Sequence, residues 1–237
     1  MNSSDVLILP LSQDEELVIS SDNSGSIGEK VTDSVQVPNA MASYYSCRVT
    51  YMDLLRTRAK PLAIILQNFT NDEAWLDYVE GIQRLLSETK IKDLPITGST
   101  ESNFSLKESA FGITMLGRRK RNRKKRRRPT VSDGFAVIGS PLVGKEVIKH
   151  AKQVAPLSLY ESFVQEEGVI DLVAVGSKGI LAEWQRLTKS NLSLETSLDI
   201  KKSGGPATCF LIAFEKEKKE TIQTMAKGYY HPLYVQR

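Results

Sequence analysis

A short polar segment, residues 22–30 (DNSGSIGEK), carries the residue types best suited to chemistry in this sequence. A predicted strand leads into it, its glycines permit positive φ, and its closely spaced backbone N–H groups could cradle phosphate oxygens. Lys30 could add a positive charge, and Asp22 could hold a divalent cation that neutralises the phosphates. The GxxxxGK[ST] spacing of a Walker loop is absent, so the segment alone also fits an ordinary turn.

Three further segments could contribute polar groups. Residues 97–103 (TGSTESN) combine hydroxyls, an amide and a carboxylate, which can bind ribose, phosphate or a hard cation, or simply cap a turn. Asp53 lies inside a predicted helix, where an acid either faces solvent or has a partner. Residues 202–207 (KSGGPA) precede a predicted buried strand and form either a turn or a loop that exposes its backbone to a ligand.

Histidine and cysteine chemistry is not indicated. His150 and His231 have no histidine or cysteine at metal-ligand spacing, and no Ser–His–Asp arrangement or nucleophile elbow is present. Cys47 falls among apolar helix positions and is interpreted as a small core residue. With Cys209 it makes only two cysteines, far apart, which suits a reducing cytoplasm.

The order of strands and helices favours an α/β or α+β layered architecture in two units, and we expect α+β (α/β layered). The first contains strands at 6–11, 16–20, 61–69 and 111–116, a helix at 38–59, and a helix after Asn71 or Asp72. The second contains strands at 135–139, 169–175 and 208–214, and helices at 144–154, 158–165, 179–187 and 218–227. The predicted boundaries are an N-terminal domain at 1–117, a basic linker at 118–132 and a C-terminal domain at 133–237.

The charge of the chain is concentrated in one segment. Among 237 residues, 32 Lys+Arg and 28 Asp+Glu give a net charge of +4, but residues 118–128 (RRKRNRKKRRR) hold ten of the basic residues. The remainder carries a net charge of −6, which argues against a broad nucleic-acid-binding face. A nucleic-acid or targeting role for the segment itself is the alternative. No apolar stretch reaches transmembrane length and no secretory peptide is evident, so a cytoplasmic location is expected.

Taken in order, these segments resemble the aminoimidazole ribonucleotide (AIR) synthase-related superfamily of ATP-binding enzymes. Residues 25–30 (GSIGEK) resemble its DGVGTK phosphate loop, and residues 97–101 (TGSTE) resemble its GGDT or GGET turn. Residues 53–55 (DLL) with 59–62 (AKPL) resemble NDIL…GAEPL, and residues 204–207 (GGPA) resemble a late loop. The chain departs from these patterns at Gly25 and Leu66, where the family has acids, and at Met52, where it has Asn.

The chain is most similar to the α-ribazole kinase branch, through its SDxSGxIGxK opening, its TGSTExN turn and its short second domain. This resemblance implies an N-terminal mixed sheet with helices, which binds ATP and forms a homodimer, and a smaller α+β C-terminal domain. Magnesium would bridge the phosphates and the carboxylates of Asp22 and Asp53. The residues expected to contact ATP are Gly25, Ser26, Gly28 and Lys30 in the phosphate cradle, and Thr100, Glu101 and Asn103 near the nucleotide or metal.

The implied reaction is transfer of the γ-phosphoryl group to the ribose 5′-hydroxyl of α-ribazole, a step in cobamide (vitamin B12-type) lower-ligand assembly. Phosphoryl transfer depends mainly on positioning and charge neutralisation, so no nucleophilic side chain is required. Two alternatives stay open. One is another ATP-dependent enzyme of the superfamily, similar to thiamine-monophosphate kinase, and the other is a non-catalytic nucleotide-binding protein. No membrane or nucleic-acid partner is expected.

Overall fold

The computed structural model describes residues 5–89, 91, 93–121 and 126–236, and the chain divides into two units, Met1–Arg123 and Lys124–Arg237. Residues 122–125 of the predicted basic linker lie outside the described residues. Within the described part of the chain, no helix combines the length and the apolar character needed to cross a bilayer.

The first unit is a five-stranded mixed sheet with two helices. In chain order its elements are β1 (Val6–Pro10), β2 (Glu15–Gly25), β3 (Ile27–Gly28), β4 (Val35–Gln36), α1 (Asn39–Arg56), β5 (Lys60–Asn68), α2 (Ala74–Ser87), β6 (Ile96–Thr100) and β7 (Ala110–Lys120). The strand order is β1-β2-β7-β5-β6; β5 and β6 are parallel and the other pairs antiparallel. The short strands β3 and β4 form a separate parallel pair.

One face of this sheet forms the core of the unit. Alternate residues of the strands, including Val18, Ile64 and Ile113, are fully buried, and α1 packs on β2 and β7. Helix α2 packs mainly against α1. The buried face therefore follows from two-residue periodicity in the strands and three- to four-residue periodicity in the helices.

The second unit is a five-stranded antiparallel sheet with four helices. Its elements are β8 (Gly134–Ile138), α3 (Lys145–Lys149), α4 (Leu157–Gln165), β9 (Val169–Ala174), α5 (Gly179–Thr188), β10 (Leu194–Glu195), β11 (Phe210–Phe214), α6 (Lys219–Ala226) and β12 (Tyr230–Val235). The strand order is β10-β12-β8-β11-β9. Trp184 of α5 packs against Phe135 of β8, with ring centroids 6.2 Å apart, in a core that includes Leu211.

The α+β fold class is confirmed, with four local differences from the sequence-based expectation. Residues 96–100 form β6 rather than a turn-rich stretch, and β12 was not predicted. The helix predicted at 144–154 ends at Lys149 and is followed by a 3-10 turn, Ala151–Gln153. Strand β7 continues past the predicted end of the first domain at residue 117 and includes three basic residues.

The segment 118–132, predicted as a linker, therefore begins inside strand β7. Arg119 lies opposite Glu16 in the β2–β7 ladder, and its Nε is 2.8 Å from a Glu16 carboxylate oxygen. Arg118 forms a similar ion pair with Glu15, in which a guanidinium nitrogen and a carboxylate oxygen are 3.4 Å apart. Opposite charges on neighbouring strands stabilise the pairing, so these arginines extend the sheet instead of repelling one another in a loop.

The far end of the basic run is also paired with acids. In the second unit Arg127 donates to both carboxylate oxygens of Asp133, at 2.6 and 2.8 Å. These hydrogen bonds are the largest influence on the pKa of Asp133. Together with the hydrogen bond from the Thr130 N–H, they lower this pKa to about 2. Much of the described basic run thus neutralises acids within its own unit, which leaves fewer charges for an external polyanion.

Gly81 tests how closely α1 and α2 pack. A Cβ at this position would overlap the carbonyl oxygen of Ala40 and the hydroxyl of Ser43 on α1. Helix propensity favours Gly81→Ala by about 1 kcal/mol, but overlap with a packed backbone costs about 1–3 kcal/mol or more. We therefore expect Gly81→Ala to lower the free energy of unfolding, measured by urea denaturation. Gly25→Ala is the control, because a Cβ there meets nothing within 4 Å; equal stability of the two variants would contradict the packing.

Candidate functional site

Strand polarity brings several strand ends together on one side of the first sheet, the side at which β2, β5 and β6 end. Strand β2 ends at Gly25 opposite Ala110, the first residue of β7. Strand β5 ends at Asn68, which lies opposite both Phe111 of β7 and Thr100 at the end of β6. Three loops, 26–36, 69–73 and 101–109, therefore leave the sheet at this edge, which we call the loop edge.

The loop 26–36 folds back on itself and is held against Ser109. Ser26 has φ of 60°, its N–H donates to the Ser109 carbonyl at 2.8 Å, and its carbonyl accepts the Ser34 N–H at 2.9 Å. At Gly28 a Cβ would lie 2.5 Å from the Ser109 hydroxyl and 2.8 Å from the Asn39 side-chain oxygen. A side chain cannot be accommodated there without displacing the loop, which accounts for glycine.

Asp33 is the central acceptor of this loop, although it is not among the residues predicted from the sequence. Only 7% of the residue is exposed. Its carboxylate accepts the Lys30 N–H at 2.9 Å and the Ser109 N–H and hydroxyl at 2.7 Å each. An Asp that follows Lys30 by three residues is typical of a side chain closing its own turn, and this spacing was the available signal. The contact with Ser109, 76 residues away, had no local signal.

The Lys30 ammonium group joins the three loops. Its Nζ donates to the carbonyl oxygen of Thr70 at 2.8 Å and to that of Leu106 at 2.6 Å. Nearby, the Thr32 hydroxyl donates to the Lys107 carbonyl. Two of the three N–H groups of the ammonium are thus committed to the protein backbone, which leaves one for a ligand.

The other predicted nucleotide contacts, Thr100, Glu101 and Asn103, also lie at the loop edge. The Thr100 hydroxyl accepts from the buried Asn68 amide at 3.2 Å. One carboxylate oxygen of Glu101 accepts the N–H groups of Asn103 and Phe104, at 2.7 and 3.3 Å. Glu101 therefore caps its own turn, as the alternative interpretation of the segment expected.

Asp22 lies on β2, three residues before the loop edge, on the face toward α1. The Ser46 hydroxyl of α1 donates to its carboxylate at 2.6 Å. Burial raises the pKa of Asp22, and the hydrogen bonds from Ser46 and the Asn23 N–H partly oppose this shift. The carboxylate is therefore held against α1.

Asp53 lies far from the loop edge. Helix α1 begins there at Asn39, and the Val37 N–H just before it donates to the Gly28 carbonyl at 3.0 Å. Asp53 lies fourteen residues after Asn39, which corresponds to a rise of about 21 Å along the helix axis. Measured along the same axis, it lies about 10 Å beyond Ser46. Oxygen ligands of one magnesium ion lie about 3 Å apart, so Asp22 and Asp53 of one chain cannot share an ion. Within one chain, the two predicted metal ligands are therefore not brought together.

The residues at the loop edge fit a phosphate group better than they fit a preformed metal site. Space around Gly25 is open, and the neighbouring loop supplies serine, glycine and lysine groups. Among the described residues, no group of three or more His, Cys, Asp or Glu side chains converges as metal ligands. One buried acceptor, the Asn39 side-chain oxygen, has no hydrogen-bond partner within the described part of the chain, but Gly28 packs against it.

The remaining candidates have structural surroundings. Cys47 is fully buried, and burial raises the pKa of its thiol to about 12, so it does not ionise near neutral pH. The loop 202–207 lies shortly before β11, and its Gly204 N–H donates to the Gly176 carbonyl at 3.1 Å. The N–H of the buried Thr208 donates to the Gly204 carbonyl of this loop at 2.9 Å, and the Thr208 hydroxyl accepts the Leu142 N–H at 3.0 Å.

No protein-family model and no curated protein matches the chain, whereas solved structures do. The tt0281 protein from Thermus thermophilus matches with a TM-score of 0.67 and 11% identity, over 99% of this chain and 87% of its own. Thiamine-monophosphate kinase from Stenotrophomonas maltophilia K279a matches with a TM-score of 0.63 and 14% identity, over 100% of this chain and 90% of its own.

A third match is AaThiL, complexed with AMPPCP and TMP, with a TM-score of 0.63 and 12% identity, over 99% of this chain and 85% of that one. At such identities the likeness shows the fold alone. It confirms the AIR synthase-like architecture over nearly the whole chain.

Asp22→Asn tests the surroundings of this carboxylate through the pH dependence of stability. Because burial raises the pKa of Asp22 above its usual 3.8, the folded state disfavours the ionised form. Stability contributed by the protonated form is present at low pH and lost as pH rises through the folded pKa. We therefore expect the variant to be more stable than wild type at pH 7, with the difference shrinking toward pH 3.8.

The measurement is urea unfolding at a series of pH values, with Asp14→Asn at an exposed position as the control. A destabilised Asp22→Asn protein at pH 7 would show that the carboxylate is favourably ionised in the fold, contrary to this assignment.

Proposed function

We propose that the protein binds ATP at the loop edge and transfers its γ-phosphoryl group to a hydroxyl of a small molecule. The observation that carries the proposal is the convergence of all seven predicted nucleotide contacts, from Gly25 to Asn103, on this one edge. Thiamine-monophosphate kinase shares the fold, and AaThiL, with the same fold, is complexed with the ATP analogue AMPPCP, which supports nucleotide binding by this chain.

The chain's own contribution to the reaction is binding and orientation. The N–H groups of Ser26 and Lys30 are bonded within the protein, so other backbone N–H groups of loop 26–36 and the third N–H of the Lys30 ammonium would bind phosphate oxygens, since such donors favour anions. The open space at Gly25 lets a phosphate approach the backbone closely. Bound magnesium would neutralise charge on the phosphates. Asp22 would hold it, and Asp53, if it binds magnesium, serves a separate ion or one shared with another chain.

For the acceptor we propose the ribose 5′-hydroxyl of α-ribazole, which would make the protein a kinase of cobamide assembly in the cytoplasm. The support is the SDxSGxIGxK and TGSTExN motifs together with the short second unit. A thiamine-monophosphate kinase-like activity is the second candidate, because that enzyme shares the fold. Non-catalytic nucleotide binding is the third, since Gly25 and Leu66 replace acids of the family pattern.

The function is tested by calorimetric titration with ATP, with and without magnesium, followed by an ATP-consumption assay with α-ribazole and thiamine monophosphate as acceptors. Consumption that depends on α-ribazole supports the kinase proposal, and consumption with thiamine monophosphate selects the second candidate. Binding without turnover on either acceptor supports the third. Absence of ATP binding would overturn the proposal.

Gly25→Ala provides a specific probe of phosphate approach. Because a Cβ there meets nothing within 4 Å, the free protein should tolerate it with little change in stability. A phosphate against the backbone would meet the new methyl group, so we expect ATP affinity to fall about tenfold or more. The control is Gly228→Ala in the second unit, where a Cβ also meets nothing within 4 Å. Unchanged ATP affinity in Gly25→Ala would place the phosphates elsewhere.

We propose that the protein is a homodimer built on the sheet face opposite the helices. On β1, Leu7 and Leu9 are 52% and 40% exposed, and they lie opposite Ile19 and Leu17 on β2. These four side chains form an apolar patch on β1, an outer strand of the sheet, and its neighbour β2. Exposed apolar patches commonly mark interaction surfaces.

Leu9→Glu should therefore convert a dimer into a monomer, because a charge buried in an apolar interface lacks a partner. Light scattering after gel filtration measures the mass. Leu76→Glu, at a 74% exposed position on α2, is the control and should keep the wild-type mass. A monomeric wild-type protein, or a dimer unaffected by Leu9→Glu, would exclude this face.

A further inference from the structure

Two side chains of the loop 26–36 hold all three loops of the loop edge together. Lys30 bonds the backbone of loop 69–73 through Thr70 and that of loop 101–109 through Leu106. Asp33 bonds the backbone and side chain of Ser109, at the end of the third loop. Loops that are 40 and 76 residues away in sequence are therefore fixed relative to the candidate phosphate cradle.

One of the two carbonyl groups that Lys30 bonds, that of Thr70, belongs to a residue held by other contacts. Thr70 is itself fixed, because its N–H donates to the buried Asn68 side chain at 2.9 Å and its hydroxyl bonds Tyr78 at 2.6 Å. A charged donor forms stronger hydrogen bonds than a neutral one. The ammonium therefore belongs to a framework of hydrogen bonds within the protein.

The bonds of Asp33 complete the same framework from the other side. Its backbone N–H donates to the Lys30 carbonyl at 2.9 Å while its carboxylate accepts the Lys30 N–H, so the two residues close a turn reciprocally. The Ser109 hydroxyl that donates to Asp33 lies 2.5 Å from the place where a Cβ of Gly28 would be, so it is in close contact with the loop. Asp33 thus holds Ser109 against the loop 26–36.

We propose that Lys30 and Asp33 are positioning residues that set the conformation of the loop edge before any nucleotide binds. Lys30 acts mainly through the Thr70 and Leu106 carbonyls, rather than as the principal phosphate ligand that the resemblance implies. The effect on ATP rests on the proposed function, whereas the effect on the loops of the free protein does not.

Lys30→Met keeps much of the length of the side chain but removes its donors. In hydrogen–deuterium exchange of the full-length protein without nucleotide, we expect about tenfold or more faster exchange at residues 69–73 and 101–109. ATP affinity, where wild type binds ATP, should fall about tenfold or more. Lys60→Met, an exposed lysine at the start of β5 on the opposite edge of the sheet, is the matched control and should change neither.

Asp33→Asn separates positioning from phosphate contact, because a buried acid cannot be a phosphate ligand. The amide would place a donor against the N–H of Lys30 or a group of Ser109, so at least one bond is lost. We expect the same faster exchange and the same loss of ATP affinity as in Lys30→Met, with the overall unfolding midpoint still measurable. Ser109→Ala, which removes only the hydroxyl contact, should give a smaller change in the same direction.

The outcomes distinguish the two proposals. Slow, wild-type exchange in Lys30→Met together with weakened ATP binding would make Lys30 a direct phosphate ligand and overturn positioning. Unchanged exchange and affinity in Asp33→Asn would overturn it as well. If the wild-type protein binds no ATP but both variants exchange faster at the loops, the loop framework stands and the proposed function fails.

Discussion

The polarity of four strands is the constraint on which the rest of the first unit depends. Because β5 and β6 are parallel and β7 is antiparallel to both β5 and β2, three strand ends and one strand beginning meet at a single edge. Chain segments from positions as distant as 26 and 109 are thereby brought together. Any other polarity would send one of the three loops to the opposite edge, about a strand length away.

The same geometry explains why charged side chains have different roles at the two ends of the strands. At the loop edge, charged side chains bond backbone groups: Lys30 to carbonyls, Asp33 to N–H groups. At the opposite edge, Arg119 pairs with Glu16 and also lies 3.4 Å from the Thr57 carbonyl at the end of α1. Charges at one edge therefore arrange loops, whereas charges at the other stabilise strand pairing and a helix end.

The parts of the fold that were predicted correctly depend on local patterns. The apolar run of β5 and the periodicity of α1 identify those elements without reference to distant residues. Strand β6 was missed because T-G-S-T is a turn-like sequence; its strand conformation comes from pairing with β5, where a Cβ at Gly98 would overlap the Leu66 carbonyl oxygen. Strand β12 contains Pro232, which argues against a central strand, yet it pairs with β8 on one side and β10 on the other.

The candidate site was predictable to a similar degree, because short motifs locate residues but do not indicate which bonds they already make. Lys30 was recognised by charge and spacing, while its bonds to Thr70 and Leu106 depend on tertiary structure. A group that is engaged before a ligand arrives contributes less as a free charge and more as a fixed support, since its bonds need not reorganise on binding. Affinity for a nucleotide here would rest on preorganised backbone, which requires the loops to be held as Lys30 and Asp33 hold them.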